Sequence, residues 1–256
     1  MNISETFAGL KQKNETALLL YYTAGYPDLQ TSMENIRVLA ENGADLIEIG
    51  IPFSDPIADG PMIQEASQTA LRQKVTLKSI LKAVRTLDVP CPLIMMSYLN
   101  PLLAYGIDQL MADMVSGGIT GMIIPDLPVE EANEWIEQTR SHGIDLIFLV
   151  TPTSGPERVR LATDASGGFV YCVSLTGTTG AREQLNGHLP DLLKEIKSIS
   201  DKPVAVGFGV STPAHVRELR PLADGVIVGS RILKAVSQKE DLGALARSLK
   251  TATQHP

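Results

Sequence analysis

Short apolar runs separated by longer stretches of helical period repeat from one end of the chain to the other. The runs fall at Ala17–Tyr22, Asp45–Ile49, Leu93–Ser97, Gly121–Ile124, Leu146–Val150, Phe169–Ser174, Val204–Gly207 and Gly225–Val228. Most are apolar on both faces, the pattern of parallel strands covered on both sides. Between them, amphipathic segments predict helices at Gln30–Asn42, Leu77–Leu87, Asp108–Ser116, Glu130–Ser141, Glu157–Ala165, Leu189–Ser200 and Ala214–Leu219. Several open after Ser, Thr, Asp or Pro, residues that cap or preset a first turn. Gly43, Gly117 and Gly143 follow three of them, where a left-handed cap is expected.

Eight strand–helix units joined by right-handed crossovers leave two architectures, a closed barrel or an open doubly wound sheet. No early Gly-x-Gly-x-x-Gly opens a dinucleotide half, which favours the barrel. The predicted fold is α/β, a single (β/α)8 barrel domain over residues 1–256, near the roughly 250 residues usual for one.

Composition changes this picture little. The 29 acidic and 22 basic residues give a net charge of −7 without any block of like charge, so nucleic acid and anionic membrane are not expected partners. No run approaches a membrane span, and the first residues lack a secretory pattern, so a cytoplasmic location is expected. Cys91 and Cys172 sit beside apolar runs and make no disulfide framework.

In such a barrel the carboxyl ends of the strands form the active face. The second strand ends in IEIGIPFSDPIADGP, which sets Glu48 between Ile47 and Ile49. A carboxylate there is expensive unless it has a partner or a task. It is either a packing residue held by hydrogen bonds or a general acid/base whose pKa burial raises toward neutrality. Asp59, eleven residues on, is either its catalytic partner or a turn residue capping the helix that starts near Pro61.

After strands six, seven and eight the chain reads SLTGTTGAR, GFGVSTP and GSRILKA. Glycines leading into helices let an anion approach backbone N–H groups, so Gly180, Gly209, Gly229 and Ser230 are candidate phosphate ligands. No Lys ends a strand, which disfavours a Schiff base, and the four His form no metal spacing or triad. Proton transfer on a phosphorylated substrate remains.

The segments YYTAGYPD, IEIGIPFSDPIADGPMIQEAS, MSYLNPLLAYG, IIPDLPVEE, GFVYCVSLTGTTGAR, VGFGVSTP and GVIVGSRI resemble, in order and over nearly the whole chain, the tryptophan synthase alpha subunit family. The resemblance implies retro-aldol cleavage of indole-3-glycerol phosphate to indole and glyceraldehyde 3-phosphate. It makes Glu48 the acid/base and Asp59 the group that binds the indole N–H. Tyr171 would line the site, and Gly180, Phe208, Gly209, Gly229 and Ser230 would form the phosphate and substrate pocket. Thr179 would sit in a lid.

The resemblance also implies an alpha2beta2 heterotetramer. The beta subunit would carry pyridoxal phosphate, this chain would carry no cofactor, and docking would use Pro52–Gly60 and the region around Asn100–Tyr105. Leu175, Thr178, Tyr22 and Tyr26 depart from common family residues. Other readings are a different phosphate-binding barrel enzyme, a lyase releasing free indole without a partner, and a barrel that mainly binds or activates a beta subunit.

Overall fold

In the computed structural model, residues 2–174, 189–207 and 209–255 are described. Nine parallel strands form one sheet: β1 Ala17–Thr23, β2 Leu46–Gly50, β3 Leu93–Met96, β4 Ile119–Ile123, β5 Asp145–Ile147, β6 Leu149–Val150, β7 Val170–Val173, β8 Val204–Gly207 and β9 Gly225–Val228. Their order is β5-β4-β3-β2-β1-β9-β8-β7-β6. Only Phe148 separates the two end strands in the chain, so the sheet curls round to a nearly closed barrel.

The fifth predicted strand, Leu146–Val150, is therefore two pieces. The cause is a side chain: the Ser166 hydroxyl accepts the Phe148 N–H at 3.0 Å and donates to the Ala162 carbonyl at 2.8 Å, taking that N–H out of the ladder while the Phe148 carbonyl still accepts the Tyr171 N–H at 3.1 Å. The other seven predicted strands lie within a few residues of their places.

Twelve helices are described: α1 Ile3–Gln12, α2 Leu29–Glu41, α3 Pro61–Arg72, α4 Leu77–Val84, α5 Leu99–Tyr105, α6 Ile107–Ser116, α7 Asn133–Ser141, α8 Pro156–Ala165, α9 Leu189–Ile199, α10 Pro213–Leu219, α11 Ser230–Ser237 and α12 Leu242–Thr253. Side-chain caps start several, with Asp28, Thr76, Thr212 and Asp241 accepting first-turn N–H groups. Gly43 and Gly143 have positive φ as expected, whereas after α6 the positive φ falls on Gly118 instead of Gly117. Among the described residues no helix is long and apolar enough to cross a membrane.

The first helix has no counterpart among the predicted ones. Its start is a capping box in which Asn2 and Glu5 bond each other's backbone N–H groups at 2.7 and 3.2 Å. It buries Ile3 and Phe7 against the amino-terminal end of the barrel, where the rings of Phe7 and Phe169 are 5.5 Å apart. A Cβ at Gly121 of β4 would stand 2.7 Å from Ile3, and one at Gly225 of β9 3.2 Å from Phe7. Small residues in the wall thus let α1 stopper this end. Beside it, Lys250 of α12 pairs with Glu15 at 3.0 Å and Asp45 at 2.9 Å, fastening the last helix to the starts of β1 and β2.

Side chains alternate along each strand, and aligned residues of parallel neighbours share a face. Tyr21, Glu48, Ile94 and Gly121 are aligned across β1 to β4, which puts Tyr21 and Glu48 on the same face. Gly121 meets Ile3 of the stopper on that face, so it is the barrel interior.

Candidate active site

Glu48 is fully buried, and neither carboxylate oxygen has a hydrogen-bond partner among the described residues. The packing alternative required such partners. Burial alone pushes its pKa up to about 8 from the usual 4.5. A carboxyl so placed is protonated near neutrality, yet close enough to its pKa to exchange that proton.

Asp59 lies in the segment between β2 and α3 and is 5% exposed. Residue Gly60 occupies the N-cap of α3 without a side-chain bond, so Asp59 is not the helix cap. Its Oδ2 accepts the Tyr98 hydroxyl at 3.1 Å, and its carbonyl accepts the Gln64 amide at 2.9 Å. Burial raises its pKa to about 6, and the Tyr98 bond opposes the rise. Tyr98 also accepts the Ala58 N–H at 3.0 Å and packs on Phe53 with ring centroids 5.2 Å apart. One tyrosine thus clamps the loop that carries Asp59.

Tyr171 on β7 is buried as well, at 3% exposed. Burial raises its pKa well above the usual value, with the charges of Glu48 and Asp59 adding to the rise in that order. The charges of both carboxyls thus reach this phenol, which puts the three groups in one neighbourhood at the carboxyl end of the barrel.

Gly209, just beyond β8, has φ +84° and is exposed, so the turn there favours glycine. Gly229 is the N-cap of α11, and Ser230, its first residue, is exposed. The first N–H groups of a helix have no partner within it, so this end can receive an anion. Gly229 has a second reason to lack a side chain, since a Cβ there would stand 3.2 Å from that of Tyr21. Thr179, Gly180 and Phe208, like Leu175 and Thr178, lie outside the described residues.

Tyr22 and Tyr26 do not face this neighbourhood. Tyr22 alternates with Tyr21, so it points outward under α2, where its hydroxyl donates to the Tyr26 carbonyl at 2.8 Å and accepts the Asn35 amide at 2.7 Å. Three residues beside the carboxyls were not named from sequence: Tyr21, Thr23 and Tyr98. The alternation of β1 carried the signal for the first two, because Tyr21 stands in phase with Leu19. For Tyr98 there was none, since its clamp on Asp59 spans 39 positions. Next to the mouth a cleft of about 430 Å³ opens between the segments after β4 and β6, bordered by Ala58, Asp126, Phe148, Thr151 and Arg158.

Comparison with known proteins identifies the family and the fold. A family model described as tryptophan synthase alpha chain matches residues 7–255. The chain is 46% identical over 239 residues to the tryptophan synthase alpha chain of a Picosynechococcus species, covering 92% of this chain and 90% of that one. With the Arabidopsis thaliana alpha chain it shares 41% over 262 residues, or 98% and 95% of the two chains. Among solved structures, a chain of Mycobacterium tuberculosis tryptophan synthase superposes with a TM-score of 0.93 at 38% identity, covering 99% of this chain and 98% of that one. With a (β/α)8 TIM barrel and a match running nearly end to end, the chain belongs to the tryptophan synthase alpha chain family.

Proposed function

We propose that Glu48 and Asp59 act as a pair on indole-3-glycerol phosphate. As a member of its family the chain is a lyase that cleaves this substrate to indole and glyceraldehyde 3-phosphate. The observation that carries the pairing is the Glu48 carboxyl, buried on the interior face of β2 without a hydrogen-bond partner among the described residues, with its charge and that of Asp59 both reaching Tyr171.

Protonated Glu48 gives its proton to indole C3, and the ring becomes a cationic indolenine. Ionised Asp59 accepts the indole N–H and stabilises that charge. Glu48, now a carboxylate, takes the proton of the side-chain hydroxyl next to the ring. The carbonyl forms, the C–C bond breaks, and its electron pair returns to the ring to restore indole. Glu48 ends protonated, as it began. Tyr171 lines the site, and Gly209, Gly229 and Ser230, with Gly180 and Phe208, receive the phosphate.

The test is cleavage of indole-3-glycerol phosphate beside an analogue whose ring lacks the N–H. Turnover of the parent compound and loss of it in the analogue are expected; equal rates overturn the role of Asp59. The Tyr98 clamp gives a second expectation. Its hydrogen bond holds the Asp59 pKa down, so Tyr98→Phe moves the acid limb of kcat/KM upward from about 6. A pH profile identical to the parent's overturns that.

The proposed partner is a cytoplasmic beta subunit carrying pyridoxal phosphate, in an alpha2beta2 assembly. The exposed apolar residues support this reading. Ile57, in the Asp59 loop, is 74% exposed, and Leu103 of α5 is 59% exposed. That helix is braced at both ends, by the Asp126 carboxylate accepting the Leu99 N–H at 2.9 Å and by Tyr105 donating to Asp113 at 2.5 Å. A rigid apolar knob suits a docking surface.

A further inference from the structure

Tyr21 is aligned with Glu48 across β1 and β2. Its ring leans along the strands toward the mouth and fits between two glycines. A Cβ at Gly50, two residues beyond Glu48, would stand 2.0 Å from the Tyr21 hydroxyl oxygen. On the other side, a Cβ at Gly229 would be 3.2 Å from the Tyr21 Cβ and 3.3 Å from its Cδ1. The hydroxyl is tied to the Thr23 hydroxyl at 3.2 Å, and both groups are buried. Tyr171 repeats the device three strands away, its hydroxyl 2.3 Å from where a Gly207 Cβ would be. Tyr21 differs in what it touches. One edge meets the strand that carries Glu48, and the other meets Gly229, the N-cap of α11, where the substrate's phosphate is assigned.

We propose that Tyr21 is a positioning residue whose ring is the spacer fixing the separation between the phosphate-binding end of the mouth and the Glu48 carboxyl, with Thr23 as its tether. The inference rests on the acid/base assignment of Glu48. A substrate anchored at its tail and protonated at its ring must meet Glu48 at a set distance, and a displacement of about 1 Å costs on the order of a hundred-fold in rate.

The experiment uses the full chain with Tyr21→Ala, Tyr21→Leu, Tyr21→Phe and Thr23→Val, and Glu48→Gln as reference. It reads kcat and KM for indole-3-glycerol phosphate, the affinity for glycerol 3-phosphate alone, and thermal melting. Tyr21→Ala is expected to lose about a hundred-fold in kcat while binding glycerol 3-phosphate like the parent. Tyr21→Leu keeps the core filled without the ring, and shows the same split should the alanine variant fail to fold. Tyr21→Phe restores the spacer and recovers all but about three-fold. Thr23→Val matches that residual loss, and the Tyr21→Phe/Thr23→Val double variant adds nothing to it. Parental kcat in Tyr21→Ala or Tyr21→Leu, beside an inactive Glu48→Gln, overturns the inference. So does loss of glycerol 3-phosphate binding in step with kcat, which is the mark of a collapsed mouth. An active Glu48→Gln overturns the underlying assignment instead.

Discussion

Glu48→Gln is expected to slow indole release by about a hundred- to ten-thousand-fold, the range a positioned acid/base supplies, in a protein that folds as well as the parent. The amide has the volume of the carboxyl and no ionisable proton. It fits the same space on β2 but can neither protonate the ring nor accept the hydroxyl proton. Stability gives an independent check. The folded-state pKa of Glu48 is raised from 4.5 to about 8, so the folded protein holds this proton more tightly than the unfolded chain does. The contribution is fully present below about 4.5 and is lost as pH rises through about 8. Glutamine cannot titrate, so the melting temperature of the variant, relative to the parent, climbs between pH 5 and pH 9. An active variant contradicts the mechanism, and a flat difference in melting contradicts the burial of a titrating group.

Asp59→Asn is expected to reduce kcat/KM by about a hundred-fold, as when a transition-state electrostatic partner is removed. The asparagine oxygen still accepts the indole N–H, but the negative charge facing the cationic ring is gone. The shape of the pH profile separates this from a loss of fold. Asp59 must be ionised, above about 6, and Glu48 protonated, below about 8, so the parent follows a bell with those limbs. In the variant the acid limb vanishes and the alkaline limb stays. Survival of both limbs would assign the lower one to another group.

The strands were legible because parallel strands buried on both faces read as unbroken apolar runs, and because Asp28, Thr76 and Thr212 punctuate the helices. What escaped depends on partners far along the chain. The break at Phe148 is made by a serine 18 positions away. The stoppering helix α1 shows only three buried residues in ten, too few to announce a core element. In the site, Glu48 stood out because a carboxyl in an apolar strand conflicts with its surroundings. Tyr21 and Tyr98 did not, since tyrosine beside apolar residues raises no conflict. Gly229 has two reasons to be glycine: its place before a helix is visible in the sequence, whereas the Tyr21 Cβ, 3.2 Å from where its own would stand, is not.

The stoppered end has a consequence for traffic. With Ile3 and Phe7 sealing the floor, the barrel is a cul-de-sac, and whatever enters by the rim must return to it. A neighbour seated on that rim would therefore command every arrival and every exit.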